Sequence, residues 1–232
     1  MSSTGGMLFA WPKQAEFGRK LNKERFYTGM KSNRQLKRLF TEQVARVTWQ
    51  YKLASLTVNT QATAEVPEIE VIQVEATGFE LDPAVLLAID NAIPNPTIHE
   101  IHAGGRVRQT AAYKRASEAD VKAWVVSHYV AGPWRPADAV RAPLPPSLDL
   151  GTLYASLLRS MIDVPAREGE TLRAHIERHG QVLAHRRDAD RITQRMNVEK
   201  QLNRKVELNA QLRIINQRIR ALTLQTSQEA DA

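Results

Sequence analysis

The chain has 232 residues, no cysteine, and 32 Lys and Arg against 25 Asp and Glu, a formal net charge of +7. This length predicts one ordinary domain, or one domain with a helical appendage. The lack of cysteine excludes disulfides and thiolate metal sites. No apolar run reaches the roughly 18–20 residues of a membrane span, and the first residues do not resemble a secretory signal. We therefore expect a cytoplasmic protein.

The charge is unevenly distributed along the chain. Residues 1–50 carry 10 Lys and Arg against 3 Asp and Glu, residues 51–165 carry 9 against 13, and residues 166–232 carry 13 against 9. Two basic ends around an acidic middle indicate a polyanion or an acidic partner surface, although ordinary solvated faces explain the same distribution.

The first 50 residues predict a flexible start over 1–12 and two helices. Phe17 and Leu21 are four residues apart, which favours a short helix over 14–22. Asn33 is a candidate N-cap of a second helix that ends near Gln43, with the apolar side chains of this helix on one face.

The next segments change to the period of strands. VARVTWQYKL (44–53) and EIEVIQVEA (68–76) both alternate, and the slip at Val71–Ile72 indicates a bulge or a strand covered on both faces. A helix over 82–93 has Asp82 as N-cap and Pro83 at its first position. A hairpin over 97–114 turns at Gly104–Gly105, and a strand follows over 122–130. Residues 13–131 therefore predict an α+β domain.

Five prolines between residues 132 and 146 predict a connector over 132–149. Helical patterns follow over 150–163, 168–186 and 188–223, which predicts a helical arm over 150–225 and a flexible tail over 226–232. The spacing of Leu208, Leu212, Ile215, Ile219 and Leu222 is that of a coiled-coil seam. The expected fold class is α+β: a mixed α/β domain with a small sheet, then a C-terminal arm with coiled-coil character.

A helix as long as the last one cannot bury its apolar stripe alone. It either pairs antiparallel with residues 168–186 or docks on another chain, and the sequence supports both equally. The candidate partner-binding residues are Leu202, Val206, Leu208, Leu212, Ile215 and Ile219.

Basic and aromatic residues alternate near the N-terminus and around residue 114. Such groups neutralise phosphates without reading bases, and the hairpin adds Arg106 and Arg108. In the alternative interpretation the aromatic residues belong to the core and the charges are merely solvated. The candidate DNA-binding residues are Lys31, Arg34, Lys37, Arg38, Lys114 and Arg115.

Patterns that would indicate catalysis are weak. Glu68, Glu70 and Glu75 lie along one predicted strand, but this strand lacks the lysine that a restriction-type nuclease core requires. His175 and His179 would share a helix face, but no third metal ligand is assured. No phosphate loop is present, so we expect no catalytic residue, metal or cofactor.

Several segments resemble a known bacterial family in matching order. They are KLNKERFY, TWQYKLASLTVNTQATAEVPEIEVIQVEA, IDNAIPNP, YKR and EKQLNRKVELNAQL. The sequence resembles the domain-of-unknown-function family 4391 (DUF4391) from about residue 13 to residue 215. The resemblance implies genes for helicases and site-specific DNA methyltransferases as neighbours, in loci of the restriction or phage-defence type, and it supplies no catalytic residues.

Three hypotheses follow. The first is a non-enzymatic accessory subunit of an anti-phage complex, which binds a helicase or DNA methyltransferase and contacts the DNA backbone. The second is a metal-dependent nuclease of the same locus that uses Glu68, Glu70 or Glu75. The third is a self-associating structural protein.

Overall fold

The computed structural model describes residues 7–27, 34–116 and 124–224. The chain forms two compact units, Met1–Ile162 and Asp163–Ala232. The first unit is a mixed α/β structure built on a seven-stranded sheet, and the second consists of helices. Across the described residues, no helix combines the length and apolar character that a bilayer span requires.

The sheet has the order β1-β2-β3-β4-β5-β6, and β7 pairs with β5. Strands β3 and β4 are parallel because a helix crosses over between them, and the other pairs are antiparallel. The strands are β1 (Glu16–Leu21), β2 (Val44–Leu53), β3 (Ile69–Ala76), β4 (Thr97–Ala103), β5 (Arg106–Ala116), β6 (Trp124–Ala131) and β7 (Arg135–Pro136).

Of the α-helices in the described residues, four lie in the first unit and two in the second. They are α1 (Arg34–Gln43), α2 (Ser55–Val58), α3 (Pro83–Ala92), α4 (Leu150–Met161), α5 (Leu172–Val198) and α6 (Leu202–Thr223). Helix α3 begins as predicted, since the Asp82 carboxylate accepts a hydrogen bond from Ala84 N at 2.8 Å and Pro83 follows directly.

The helix predicted over 14–22 is wrong. A 3-10 helix at Lys13–Ala15 leads directly into edge strand β1. Gly18 has a φ of +62°, which interrupts a helix, and it lies where the register of β1 against β2 shifts between Glu16 and Arg19. The Phe17 ring packs 4.9 Å from the Trp49 ring across the pair, so its spacing from Leu21 does not reflect a helical face.

Strand β3 is covered on both faces. Ile69, Val71, Ile72 and Val74 are all buried, and the β2 register shifts between Trp49 and Tyr51, directly opposite Val71–Ile72. Burial of both faces therefore explains the slip in the alternation, whereas the bulge lies in β2 at Gln50 and not in β3. One face carries the core cluster that α1 and α3 share with the sheet, and α4 packs against β5 and β6.

The proline-rich segment is bound to the N-terminal segment of the first unit. Ala142 N donates to Leu8 O and Ala10 N donates to Ala142 O, both at 2.8 Å. The sequence predicts a connector between domains over 132–149, whereas the two compact units divide after Ile162 and α4 belongs to the first. Backbone pairing with a distant segment orders this proline-rich stretch.

Helices α5 and α6 of the second unit pack together. The predicted helix boundary near residue 187 is wrong, because α5 continues to Val198 and the break lies at residues 199–201. There the Glu199 carboxylate accepts hydrogen bonds from Lys200 N at 2.8 Å and Gln201 N at 2.9 Å. At the other end, Arg178 Nη1 donates to Leu222 O at 2.6 Å, so the helices are antiparallel. The coiled-coil character of the arm stays a prediction.

Candidate nucleic-acid interface

Helix α1 presents its basic residues to solvent. Leu36 and Phe40 are buried against the core, and Arg34, Lys37 and Arg38 are exposed on the rest of the helix. We call these three cations the α1 basic face. Lys31, the fourth basic residue predicted here, lies outside the described residues.

Aromatic packing holds α1 in place. The Phe26 and Phe40 rings stack with centroids 5.6 Å apart, and Tyr27 packs 5.7 Å from Phe40. Lys23 Nζ donates to Val44 O at 2.7 Å and to Phe40 O at 3.4 Å, which satisfies carbonyls at the end of the helix. The interleaved aromatic residues Phe26, Tyr27 and Phe40 therefore belong to the core or pack against it, while Arg34, Lys37 and Arg38 face outward.

More basic residues are exposed at the β1 edge of the sheet. Arg19 and Lys20 are exposed on edge strand β1. A depression of about 450 Å³ at this end of the sheet is lined by Lys20, Leu21, Asn22, Lys23, Ala45, Arg46 and Val47. Arg46 forms an ion pair with Glu75, so part of this charge is neutralised within the protein.

Lys114 is not at the surface. Its side chain is buried, and Nζ donates hydrogen bonds to the carbonyl oxygens of Asp90, Ile93 and Asn95. Burial lowers the pKa of Lys114 to about 8, although the negative charges of Asp90 and Glu70 act in the opposite direction. Lys114 therefore satisfies carbonyls at the C-terminal end of α3, and a phosphate cannot reach it. Arg115, the next residue, is half-buried.

The acidic residues of the nuclease hypothesis are held by other side chains. Glu70 is fully buried, where it accepts hydrogen bonds from Trp49 Nε1 at 2.7 Å and Asn95 Nδ2 at 2.8 Å, and burial raises its pKa. Glu68 forms an ion pair with Lys52 at 2.9 Å. Glu75 is five residues from Glu70 in the same strand and so points to the opposite face. The three carboxylates do not converge on one point.

The histidine pair of α5 is also separately bound. His175 Nε2 lies 2.7 Å from Val164 O, and His179 Nε2 lies 3.1 Å from Asp163 Oδ1. Burial lowers the pKa of His179, against the effect of Asp163. Within the described ranges, no three His, Cys, Asp or Glu side chains form a group that could hold a metal ion.

A buried ion pair links the sheet to the proline-rich segment. Glu100 Oε1 accepts hydrogen bonds from Arg141 Nη1 at 2.6 Å, Trp11 Nε1 at 2.8 Å and Gln109 Nε2 at 2.8 Å. Burial alone would raise the pKa of Glu100, but His102 and Arg141 outweigh it and lower the pKa to about 2. No sequence signal connects these residues, because they lie in four separate segments.

A second buried network lies under α3. Asp90 Oδ2 accepts a hydrogen bond from the Tyr129 hydroxyl and lies 3.1 Å from His99 Nε2. Burial favours the neutral acid, but His99 and Tyr129 outweigh it and lower the pKa of Asp90. These contacts link α3 to the sheet. His99 and Asp90 are both buried, so a substrate has no access to them.

Helix α6 carries two apolar stripes on different sides. The predicted seam residues Leu208, Leu212, Ile215 and Ile219 are half-buried, as expected for the side that packs on α5. Residues four apart in a helix share one side. Apolar residues spaced by four and eight positions therefore form a second stripe, on a side away from this seam. Its large members are Leu202, Val206 and Ile214, with exposed fractions of 74%, 62% and 52%. We call these three residues the outer α6 stripe.

Comparison with known proteins assigns the family. The model of the family described as "Domain of unknown function (DUF4391)" matches residues 9–219, which include most of both compact units. The chain matches none of the curated proteins and none of the solved structures with which it was compared. Since the match extends over most of the sequence, this chain belongs to the DUF4391 family.

Proposed function

We propose that this protein is a non-enzymatic accessory subunit of a bacterial anti-phage complex of the restriction type. In this proposal it works in the cytoplasm and binds a helicase or DNA methyltransferase through the outer α6 stripe. The first unit contacts the DNA backbone through the α1 basic face. The class of partner is inferred from the family resemblance, and the two surfaces are inferred from the exposed side chains of α6 and α1.

The observation that carries the partner-binding part is the outer α6 stripe. Leu202, Val206 and Ile214 stand at four- and eight-residue intervals and are more than half exposed. Exposed apolar side chains at helical spacing are typical of a face that receives another helix. Arg213 and Arg220 lie on the same side by helix geometry, which favours a partner helix with acidic flanks.

The α1 basic face supports the contact with DNA. Arg34, Lys37 and Arg38 are exposed on a helix fixed by its buried aromatic residues, although Arg38 also forms an ion pair with Glu42. Each phosphate contact changes the logarithm of the affinity by about 0.9 per tenfold change in salt. Three such contacts would contribute a salt slope of about −2.7.

A pull-down of the tagged chain, expressed together with its neighbouring genes, tests whether it binds a helicase or a DNA methyltransferase. The wild type should retain one of these enzymes, and the double variant Leu202→Asp, Val206→Asp should release it. Gln211→Asp adds a negative charge to another exposed side of α6 and serves as the control. Equal recovery by all three chains would refute the assignment of the outer α6 stripe.

DNA binding is tested separately, by fluorescence anisotropy of a labelled duplex at several salt concentrations. Replacing Arg34, Lys37 and Arg38 by Gln should flatten the salt slope by about 2.7 and weaken binding about 500-fold at 0.1 M salt. An unchanged slope would remove the α1 basic face from the proposal. Magnesium-dependent cleavage that Glu70→Ala abolishes would favour the nuclease instead.

A further inference from the structure

Aromatic and arginine side chains gather at the turn between β4 and β5. Phe79, from the loop that follows β3, lies over Gly104 so closely that a Cβ there would come within 2.9 Å of Phe79 Cζ. Gly104 has a φ of +52° and Gly105 a φ of +73°, so the turn itself also favours glycine. The Phe79 ring is nevertheless 45% exposed.

Trp134 and two arginines complete this group. The Trp134 ring lies edge-on to Phe79, with centroids 5.1 Å apart and planes at 84°. The Arg108 guanidinium is 4.8 Å from the centre of the Trp134 ring, and Arg106 Nη2 donates to Trp134 O at 3.2 Å. Arg106 is exposed, and Trp134 and Arg108 are half-buried. We call Phe79, Arg106, Arg108 and Trp134 the aromatic–arginine cluster.

The loop that carries Phe79 is bound to the C-terminal end of α1. Thr77 N donates to Gln43 O at 3.0 Å, and Thr77 Oγ1 donates to Glu42 O at 2.7 Å. Asp82 N donates to Gln43 Oε1 at 2.8 Å. The cluster and the α1 basic face therefore belong to connected parts of the same unit.

The chemistry of the cluster fits an unpaired nucleotide. An exposed aromatic ring stacks on the face of a base, and arginines beside it neutralise the adjoining phosphates. Bases in a duplex are stacked on one another and cannot present a face to Phe79, whereas single-stranded bases can.

We propose that the aromatic–arginine cluster binds single-stranded nucleic acid, with one base stacked on Phe79 and the adjoining phosphate on Arg106. The strand continues toward the α1 basic face. This inference rests on the DNA contact of the proposed function and adds the class of nucleic acid that is recognised.

The test compares a labelled 15-nucleotide oligothymidine with a duplex of equal length, using the full chain and fluorescence anisotropy. Phe79→Leu keeps apolar bulk over Gly104 but removes the aromatic face, and it should weaken single-strand binding about tenfold. Phe79→Tyr keeps the ring and should bind like the wild type. Duplex affinity should be the same for all three chains, and matching thermal unfolding curves would establish that they are folded.

The outcomes separate this inference from the proposed function. If Phe79→Leu binds oligothymidine as tightly as the wild type, while the triple Gln variant of the α1 basic face binds weakly, then base stacking is refuted and the backbone contact stands. If the wild type binds neither nucleic acid, both the DNA contact and the cluster assignment fail. Preference for the duplex over oligothymidine would also overturn the inference.

Discussion

Protonation of Glu100 should remove much of the stability of the first unit, because this carboxylate is buried as an anion among three donors. Its pKa falls from 4.5 to about 2 on folding. At about 1.36 kcal/mol per pKa unit, this shift of about 2.5 units stabilises the fold by about 3.4 kcal/mol. Since the pKa is lowered, the contribution is complete above pH ~4.5 and is lost as the pH falls toward ~2.

The loss of stability at a pH suitable for measurement follows from the unfolded and folded pKa values of Glu100. Between pH 7 and pH 3 the linkage relation gives a loss of about 2 kcal/mol for this group alone. Glu100→Gln cannot titrate and should not show this part of the acid dependence. At pH 7 the variant should be less stable than the wild type by about 3 kcal/mol, because it leaves the Arg141 guanidinium without its counter-ion.

Urea unfolding at pH 7 and pH 3, followed by circular dichroism, measures both quantities. Glu65→Gln removes an exposed carboxylate and provides the matched control. The variant Glu100→Gln should lose about 2 kcal/mol less than the wild type and the control between the two pH values. An equal loss in all three proteins would show that folding does not lower the pKa of Glu100, and the stabilisation assigned to this carboxylate would be refuted.

Three further predictions concern packing and helix ends. Leu212→Asp should reduce the helical circular dichroism signal of the second unit because Leu212 lies on the side that packs on α5, whereas Leu202→Asp should leave it unchanged. Phe40→Ala should lower the free energy of unfolding, measured in urea, by about 3–5 kcal/mol, because the ring is fully buried between Phe26 and Tyr27. A loss under about 1 kcal/mol would contradict the place of Phe40 in the core. Asp82→Ala should lower the same quantity by about 1 kcal/mol through loss of the α3 N-cap, with no comparable effect from the exposed Glu80→Ala.

Elements with local signals were predicted correctly. Asp82 and Pro83 mark the start of α3, and Gly104–Gly105 marks the turn between β4 and β5. In each case residues next to one another determine the backbone conformation, so the sequence contains the information directly. The spacing of Leu208, Leu212, Ile215 and Ile219 likewise identified the half-buried side of α6, but it could not say that α5 of the same chain covers it.

Features that depend on distant contacts were not predictable. Lys114 lies in a basic segment and looks like a surface residue, but the carbonyls at the end of α3 accept its hydrogen bonds in the core. The α5–α6 boundary was missed because no glycine or proline marks residues 199–201. The aromatic–arginine cluster draws on three segments, and only Arg106 and Arg108 of its members were singled out beforehand.

The pairing of residues 8–10 with Ala142 has a consequence for biosynthesis. Backbone hydrogen bonds here join positions more than a hundred residues apart, and Arg141 Nη1 also donates to Phe9 O at 2.9 Å. A ribosome that adds about 5–20 residues per second needs about 7–27 s to make the intervening chain. During that interval the segment of Leu8, Phe9 and Trp11, all buried in the folded protein, lacks its backbone pairing with Ala142. The N-terminal segment therefore completes its packing only after the proline-rich segment has been synthesised.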